Sequence, residues 1–481
     1  MRTTPGAAAG SPDPRRGIPP VDALLTDPSV SHHASRLGRP RALEVVREVQ
    51  RQARQGALPA AEVVTVVATR LAGLAGSPGP RPVLNATGVV VHTNLGRAPL
   101  SEAARAALAD ASGYADVELD LATGRRGRRG GSVVDALLRA VPEAEDALVV
   151  NNGAAGLLLA TTALAAGRQV LVSRGELVEI GDGFRLPDLI ESGGARLREV
   201  GTTNRTHLAD YEHALAQGSG DGTTGTARSS IAALLKVHPS NFRVAGFTAS
   251  VPVADLAMVA HRAGLPLVVD TGSGLLESDP MLTGEPDART TLRDGAGLVT
   301  ASADKLLGGP QAGLILGDVD LVARLRRHPM ARALRVDKLT LAALEATLRD
   351  PAAAPVTVAR RASAHELRAR ADALHRALVD HGLPCEVVEH DGRVGGGGAP
   401  EVPLPGWAIA LPEGLAAPLR LGDPAVLARV HDGRCLVDPR CVPPAQDDVL
   451  AGAVLAAAGR AGDVGVKDAG HVPPTGGHPA P

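Results

Sequence analysis

Lys305 stands in the run Ser302-Ala303-Asp304-Lys305-Leu306-Leu307-Gly308-Gly309-Pro310-Gln311-Ala312-Gly313, which follows a strand-like Leu267-Val268-Val269 ending in Asp270. An amine and a carboxylate in this order are the two protein groups that pyridoxal 5'-phosphate requires. The amine forms an imine with the aldehyde, and the anion keeps the ring nitrogen protonated so that the ring accepts electrons. Lys305 is the expected amine and Asp270 the expected anion. Leu306, Leu307 and the glycine backbone around the lysine partly desolvate it, which favours the neutral, nucleophilic form.

A phosphate needs its own cradle, and Asn151-Asn152-Gly153-Ala154-Ala155-Gly156 offers one. It lies between a strand ending at Val150 and a helix beginning about Ala154, where exposed N–H groups and the helix dipole attract anions. Asn152, Gly153, Ala154 and Ala155 are therefore candidate cofactor contacts, although a tight strand-to-helix turn with no ligand fits the same residues. Ser302, three residues before the lysine, either adds a hydroxyl to that phosphate or faces solvent. Asp304, beside the lysine, either steers a substrate ammonium or caps a turn. Arginines form a second theme: Arg97 after Thr93-Asn94-Leu95-Gly96, the cluster Arg125, Arg126, Arg128 and Arg129, and Arg332 with Arg335. Guanidinium groups bind phosphate through paired donors, whereas runs of charge also occur as plain solvated loops.

The elements that must position these residues follow from periodicity. Residues 18–78 have helical spacing, with Leu43, Val46 and Val49 on one face and then Val63, Val67, Leu71 and Leu74. They predict a small helical domain. From 79 to 345, short apolar runs alternate with helical stretches: Ala147–Val150, Gln169–Val172, Ile231–Leu235, Leu265–Val269 and Gly313–Leu316 read as strands. That alternation predicts an α/β domain with a largely parallel sheet covered on both faces. Residues 346–465 predict a third, smaller domain with a long helix near 357–382 and short strands such as Trp407–Leu411. The glycine run 395–398 reads there as a turn, since no helix opens after it. Gly218 to Ser230 reads as a surface loop. The Gly- and Pro-rich segments 1–17 and 466–481 are expected to be disordered.

Composition narrows the field. The chain has 481 residues, 44% of them hydrophobic, enough for two or three domains with a sizeable core. Aromatics make up only 1%, so recognition by stacking bases on aromatic platforms is not expected. The net charge of −2 gives no global pull toward DNA, RNA or membrane, although residues 1–80 carry ten Arg against six acidic residues. Three scattered cysteines match neither a metal site nor a disulfide framework, which fits a reducing cytoplasm. The N-terminus has no apolar stretch of a secretory signal, and the longest apolar run, Gly153 to Gly167, is too short to cross a bilayer.

Several long motifs resemble one family. These are Asn85-Ala86-Thr87-Gly88, His92-Thr93-Asn94-Leu95-Gly96-Arg97-Ala98-Pro99-Leu100, Lys236-Val237-His238-Pro239-Ser240-Asn241-Phe242, the Asp304–Gly313 run and Leu436-Val437-Asp438-Pro439-Arg440. Together they are similar to the bacterial selenocysteine synthases, the L-seryl-tRNA(Sec) selenium transferases, over residues 18 to 450. Ala303 stands where that family usually has Gly. The resemblance implies an aspartate-aminotransferase-like subunit of pyridoxal-phosphate fold type I, assembled as a ring of dimers, with an N-terminal domain that grips tRNA(Sec). It implies conversion of L-seryl-tRNA(Sec) to L-selenocysteinyl-tRNA(Sec): Lys305 acts as imine and then base, water is eliminated to an aminoacrylyl intermediate, and selenophosphate delivers selenium. Arg97, Arg332 and Arg335 are the implied anion contacts, with the 125–129 cluster left for tRNA or substrate. Two alternatives keep the fold: a lyase acting on a small free amino acid or amino sugar acid, and a non-catalytic tRNA-binding protein.

Overall fold

The computed structural model describes residues 17–75, 79–179, 183–218, 230–240, 242–400 and 402–463. The terminal segments expected to be disordered, apart from Gly17, and most of the expected loop from Gly218 to Ser230 lie outside the described residues. The rest falls into two compact units that divide between Pro82 and Val83.

The first unit is helical: Val21–Thr26, Pro28–Leu37, Arg39–Arg54 and Val63–Ala75. Its own core is formed by Leu24, Val30, Ala42, Val46, Val49, Val63, Val67 and Leu71, all essentially buried. Leu43 is only partly buried and Leu74 is exposed, so the apolar stripe of Arg39–Arg54 is carried by Ala42, Val45, Val46 and Val49.

In the second unit the strands are β1 (Val83–Ala86), β2 (Val89–Val91), β3 (Asp146–Val150), β4 (Gln169–Ser173), β5 (Arg196–Val200), β6 (Ile231–Val237), β7 (Leu267–Gly272), β8 (Leu298–Ser302), β9 (Gly313–Gly317), β10 (Glu386–Glu389), β11 (Gly392–Gly395), β12 (Pro403–Leu404), β13 (Trp407–Pro412), β14 (Ala425–His431) and β15 (Arg434–Val437). Seven form one sheet in the order β3-β9-β8-β7-β6-β4-β5. All its pairings are parallel except those of β9, which runs against both β3 and β8. Successive residues of a strand face opposite sides, and here both sides are apolar. Leu171, Leu234, Val269 and Leu314 enter one core layer while Val170, Val172, Leu235, Val268 and Ile315 enter the other. Apolar residues on both faces force helices onto both faces, as the alternating pattern predicts.

Three expectations differ from the structure. The strand carrying Asp270 does not end there: it runs to Gly272, with its register against β8 shifted between Asp270 and Gly272. The helix expected over 357–382 is two helices, Pro355–Arg361 and Ala364–Asp380, because Ser363 and Glu366 form a reciprocal capping box that starts the second one afresh. The first strands of the expected 79–345 domain pair with strands of the expected 346–465 domain. β1 pairs in parallel with β14 in a five-stranded sheet, and β2 pairs in parallel with β11. The chain thus lays two strands into the smaller sheets before it builds the large one.

Candidate functional site

The carboxyl ends of β6, β7 and β8 bring the chemistry together. Asp270 sits near the end of β7, and its Oδ1 accepts a 2.8 Å hydrogen bond from the Thr300 hydroxyl on the neighbouring strand. Burial pushes the Asp270 carboxyl above its usual range, against the opposing pull of Thr300 and of the Lys305 charge. Lys305 lies three residues beyond β8, in a loop held by the Leu306 N–H to Ser273 O bond of 2.9 Å. A Cβ on Gly272 would lie 4.0 Å from Lys305 Nζ and 2.5 Å from Ser240 Oγ, so the amine, the end of β7 and the loop after β6 share one small space. Burial holds the amine below the ordinary lysine value, opposed by Asp270 and aided by Arg97. The result is an amine and an acid in electrostatic reach, each pushed toward its neutral form.

The cradle lies beside them. The helix Gly153–Ala165 is capped by Asn152, whose side chain accepts from Ala155 N at 2.7 Å. Gly156 N bonds Asn152 O, which leaves the N–H groups of Gly153 and Ala154 as the first-turn donors without intrahelical partners. Ser302 overhangs them: a Cβ on Gly153 would lie 2.3 Å from Ser302 Oγ. Glycine is required there, and the Ser302 hydroxyl lies beside the two N–H groups.

The arginines are less free than the sequence suggests. Arg97, in a left-handed conformation with φ 65°, pairs with Asp304 at 2.7 Å, and Ala98 N bonds Asp304 O. Asp304 therefore fastens the Arg97 loop to the lysine loop. Both residues line a cleft of about 310 Å³ with Thr93, Gly309 and Gln311. Arg335 lies 3.6 Å from Glu118, and its backbone bridges Val150 while Leu334 O accepts from Asn151 N. That places the 332–335 segment against the cradle. Arg332 is exposed and has no ion pair among the described residues. In the 125–129 cluster, Arg126 and Arg129 pair with Glu118, and Arg128 with Asp146, so three of the four are tied within the chain.

Two residues that the sequence reading assigned no role also reach this space. His238 follows β6, and its N–H bonds Asp270 O at 2.9 Å. Its Nε2 faces Oε2 of the buried Glu285 at 3.4 Å. His238 Nε2, Glu285 Oε1 and Ser273 Oγ are buried without hydrogen-bond partners. Polar atoms are rarely left so. The Asp438-Pro439-Arg440 motif lies elsewhere and is structural: the buried Arg440 guanidinium donates to Ala359 O at 3.1 Å, Leu404 O at 2.8 Å and Pro405 O at 2.7 Å.

These groups fit pyridoxal phosphate. Donors at 153–154 and Ser302 suit its phosphate, Asp270 its ring nitrogen and Lys305 its aldehyde. Comparison with known proteins agrees. The family model described as L-seryl-tRNA selenium transferase matches residues 83–443, and one described as selenocysteine synthase N terminal matches residues 15–54. The L-seryl-tRNA(Sec) selenium transferase of Moorella thermoacetica is 48% identical over 402 residues, 80% of this chain and 83% of that protein. The protein of the same name from Solidesulfovibrio magneticus is 43% identical over 477 residues, 92% of this chain and 98% of its own length. Among solved structures, D-glucosaminate-6-phosphate ammonia-lyase superposes with a TM-score of 0.56 at 22% identity, over 81% of this chain and 99% of that one, a likeness of fold. The architecture is that of pyridoxal-phosphate fold type I, and the chain belongs to the L-seryl-tRNA selenium transferase family.

Proposed function

We propose that the chain converts L-seryl-tRNA(Sec) to L-selenocysteinyl-tRNA(Sec) with pyridoxal 5'-phosphate as cofactor and selenophosphate as the selenium donor. The observation that carries this reading is the joint match of residues 15–54 and 83–443: the N-terminal unit accompanies the lysine site. A catalytic core acting on a small free amino acid has no need of that unit.

Bound pyridoxal phosphate supplies an aldehyde carbon that takes up amines and a cationic ring that accepts the electron pair released at Cα. Asp270 is the anion that holds the ring nitrogen protonated, and that cation in turn favours the ionised carboxylate that burial alone disfavours. Lys305, kept toward its neutral form by burial, is the amine that holds the cofactor and, once freed, the base that removes the α-proton of the seryl group. Gly153, Ala154 and Ser302 hold the phosphate, with Asn152 and Ala155 fixing the helix end that presents the donors. Arg97, oriented by Asp304, faces the cleft with Arg332 and Arg335 nearby on the cradle side, and these three are assigned to the anionic selenium donor. The N-terminal unit grips the tRNA. The chain works as a homo-oligomer in the cytoplasm; exposed apolar side chains such as Tyr114 and Leu121 support association of copies. No described helix is long and apolar enough to cross a membrane.

The test is direct. Purified, cofactor-loaded protein is incubated with serylated tRNA(Sec) and selenophosphate, and the amino acid released from the tRNA is identified. Selenocysteine is expected, and its formation should cease in Lys305→Ala. Unchanged serine from cofactor-loaded wild type overturns the reading.

A further inference from the structure

Eliminating water from a seryl group takes two proton transfers, and Lys305 accounts for one. The α-proton leaves to a base, while the β-oxygen must gain a proton if it is to depart as water rather than hydroxide. Lys305 has an assigned duty at Cα. None of the residues assigned so far serves the β-oxygen.

His238 and Glu285 are built for that duty. Glu285 is almost fully buried, with its side chain 1% exposed. It is held from one side by the Ala399 N–H, which donates to Oε2 at 2.5 Å. The turn supplying that N–H is packed so closely that a Cβ on Gly398 would lie 2.6 Å from Glu285 Oε1 and 2.8 Å from Ser273 Cβ. This is the glycine run 395–398 of the sequence, and it serves here to close backbone down on a carboxylate. A carboxylate enclosed in this way needs a cationic or N–H partner. The group facing Oε2 is His238 Nε2, at 3.4 Å. Nε2 is fully buried and makes no hydrogen bond among the described residues, whereas the other ring nitrogen, Nδ1, is not one of the buried unpartnered atoms and belongs to a side chain that is 25% exposed.

One nitrogen buried 3.4 Å from a carboxylate, and the other on the more open side of the ring, is an arrangement from which a histidine can deliver a proton. The location suits it. The His238 backbone is bonded to Asp270, two residues later Ser240 borders the space that contains Lys305 Nζ, and Ser273, beside Glu285, is bonded through its carbonyl to the residue after Lys305. The pair is thus stitched to both sides of the lysine.

We infer that His238 is the general acid for departure of the seryl hydroxyl and that Glu285 is its positioning partner. This rests on the function proposed above. The electron pair left at Cα by proton removal closes a Cα=Cβ double bond as the Cβ–O bond breaks. The Cβ–O pair goes to oxygen, and the Nδ1 proton joins it to make water. The imidazole, left neutral, is reprotonated from solvent before the next turnover. Glu285, 3.4 Å from Nε2, fixes which nitrogen faces the substrate.

The experiment separates the two protons. Full-length, cofactor-loaded wild type, His238→Gln and Glu285→Gln are given seryl-tRNA(Sec) in deuterated water. Deuterium entry at Cα reports α-proton removal, and loss of serine reports elimination. The same proteins are then given tRNA(Sec) charged with 3-chloroalanine, whose chloride leaves without a proton. In His238→Gln, elimination from serine should fall at least about 100-fold, the usual contribution of a general acid, while α-exchange and elimination of chloride stay within about threefold of wild type. Glu285→Gln should show the same pattern with a smaller loss, about tenfold. If His238→Gln loses chloride elimination as severely as it loses serine elimination, or keeps serine elimination, the assignment is overturned. Failure of the wild type on seryl-tRNA(Sec) would instead overturn the function on which it rests.

Discussion

Asp270 is costly to the protein without its cofactor. A carboxyl pushed upward by burial binds protons more readily in the folded chain than in the unfolded one. Its contribution to stability is therefore full below the unfolded carboxylate value and is lost as pH rises through the folded one. Near neutral pH the cofactor-free fold carries that cost, and Asp270→Asn should relieve it. The variant without cofactor is expected to melt at a higher temperature than wild type at pH 8, with the gap shrinking toward pH 4, and to lose turnover by at least about 100-fold when cofactor is added. Thermal melts of both proteins across that range, with the transferase assay, check this. A variant that melts lower at every pH would show instead that the carboxylate stabilises the fold. At this scale the sequence was informative where chemistry demands rare company: a lysine among glycines, and an acid closing an apolar run. It was silent on Glu285, which belongs to no motif and meets His238 only through packing between segments that are distant in the chain. It also could not reveal that Arg97 and Asp304 are partners, because their side chains come from loops 207 residues apart.

The proposed phosphate cradle joins two elements, and its fit depends on both. Gly153 opens a helix and Ser302 ends a strand, and the 2.3 Å that would separate a Cβ on Gly153 from Ser302 Oγ leaves no room for a methyl group. Gly153→Ala must rotate the serine hydroxyl away from the donors at 153–154. Cofactor affinity is expected to fall about tenfold, equivalent to the loss of one hydrogen bond to a charged group, roughly 1.5 kcal/mol. In a Ser302→Ala background the same glycine substitution should cost little more, since no hydroxyl remains to be displaced. Fluorescence titration of the four proteins with pyridoxal phosphate closes the cycle; additive losses would mean that the two residues act apart. β3 and the helix after it were legible because they are apolar and bounded by Asn and Gly, whereas β8, which carries Ser302, was not among the expected strands. The end of β7 was not legible, because Thr271 and Gly272 carry no apolar signal and are held in the sheet by their neighbour β8. The break between Arg361 and Ala364 was visible only as a serine three residues before a glutamate inside an otherwise helical stretch.

At the scale of the molecule, the chain has two units with separate cores. The helical unit buries Leu24, Val46, Val67 and Leu71 among its own residues, and the unit from Val83 onward has its own core layers. A chain of residues 83–481 should therefore fold and bind pyridoxal phosphate within about threefold of the full protein, yet lose at least about 100-fold of turnover on seryl-tRNA(Sec). Absorbance of the bound cofactor and the transferase assay read the two halves of that statement. Retention of full turnover would remove tRNA binding from the N-terminal unit. The sequence reading puts the end of the helical unit at 78, where Pro78, Pro80 and Pro82 separate two different periodicities. It hid the membership of β1 and β2, since four and three residues of apolar character say nothing about which distant strand will take them.

That membership has a consequence on the ribosome. β1 finds its partner β14 only about 340 residues later in synthesis. At about 5–20 residues per second, residues 83–91 wait roughly 20 to 70 s as unpaired, β-branched edge segments before the smaller sheets can close. All seven strands of the large sheet, the last ending at Gly317, have been synthesised by then. The nascent protein therefore passes through a stage in which the lysine loop is made while the strands beside Arg97 still dangle, and it is there that a holding chaperone has most to protect.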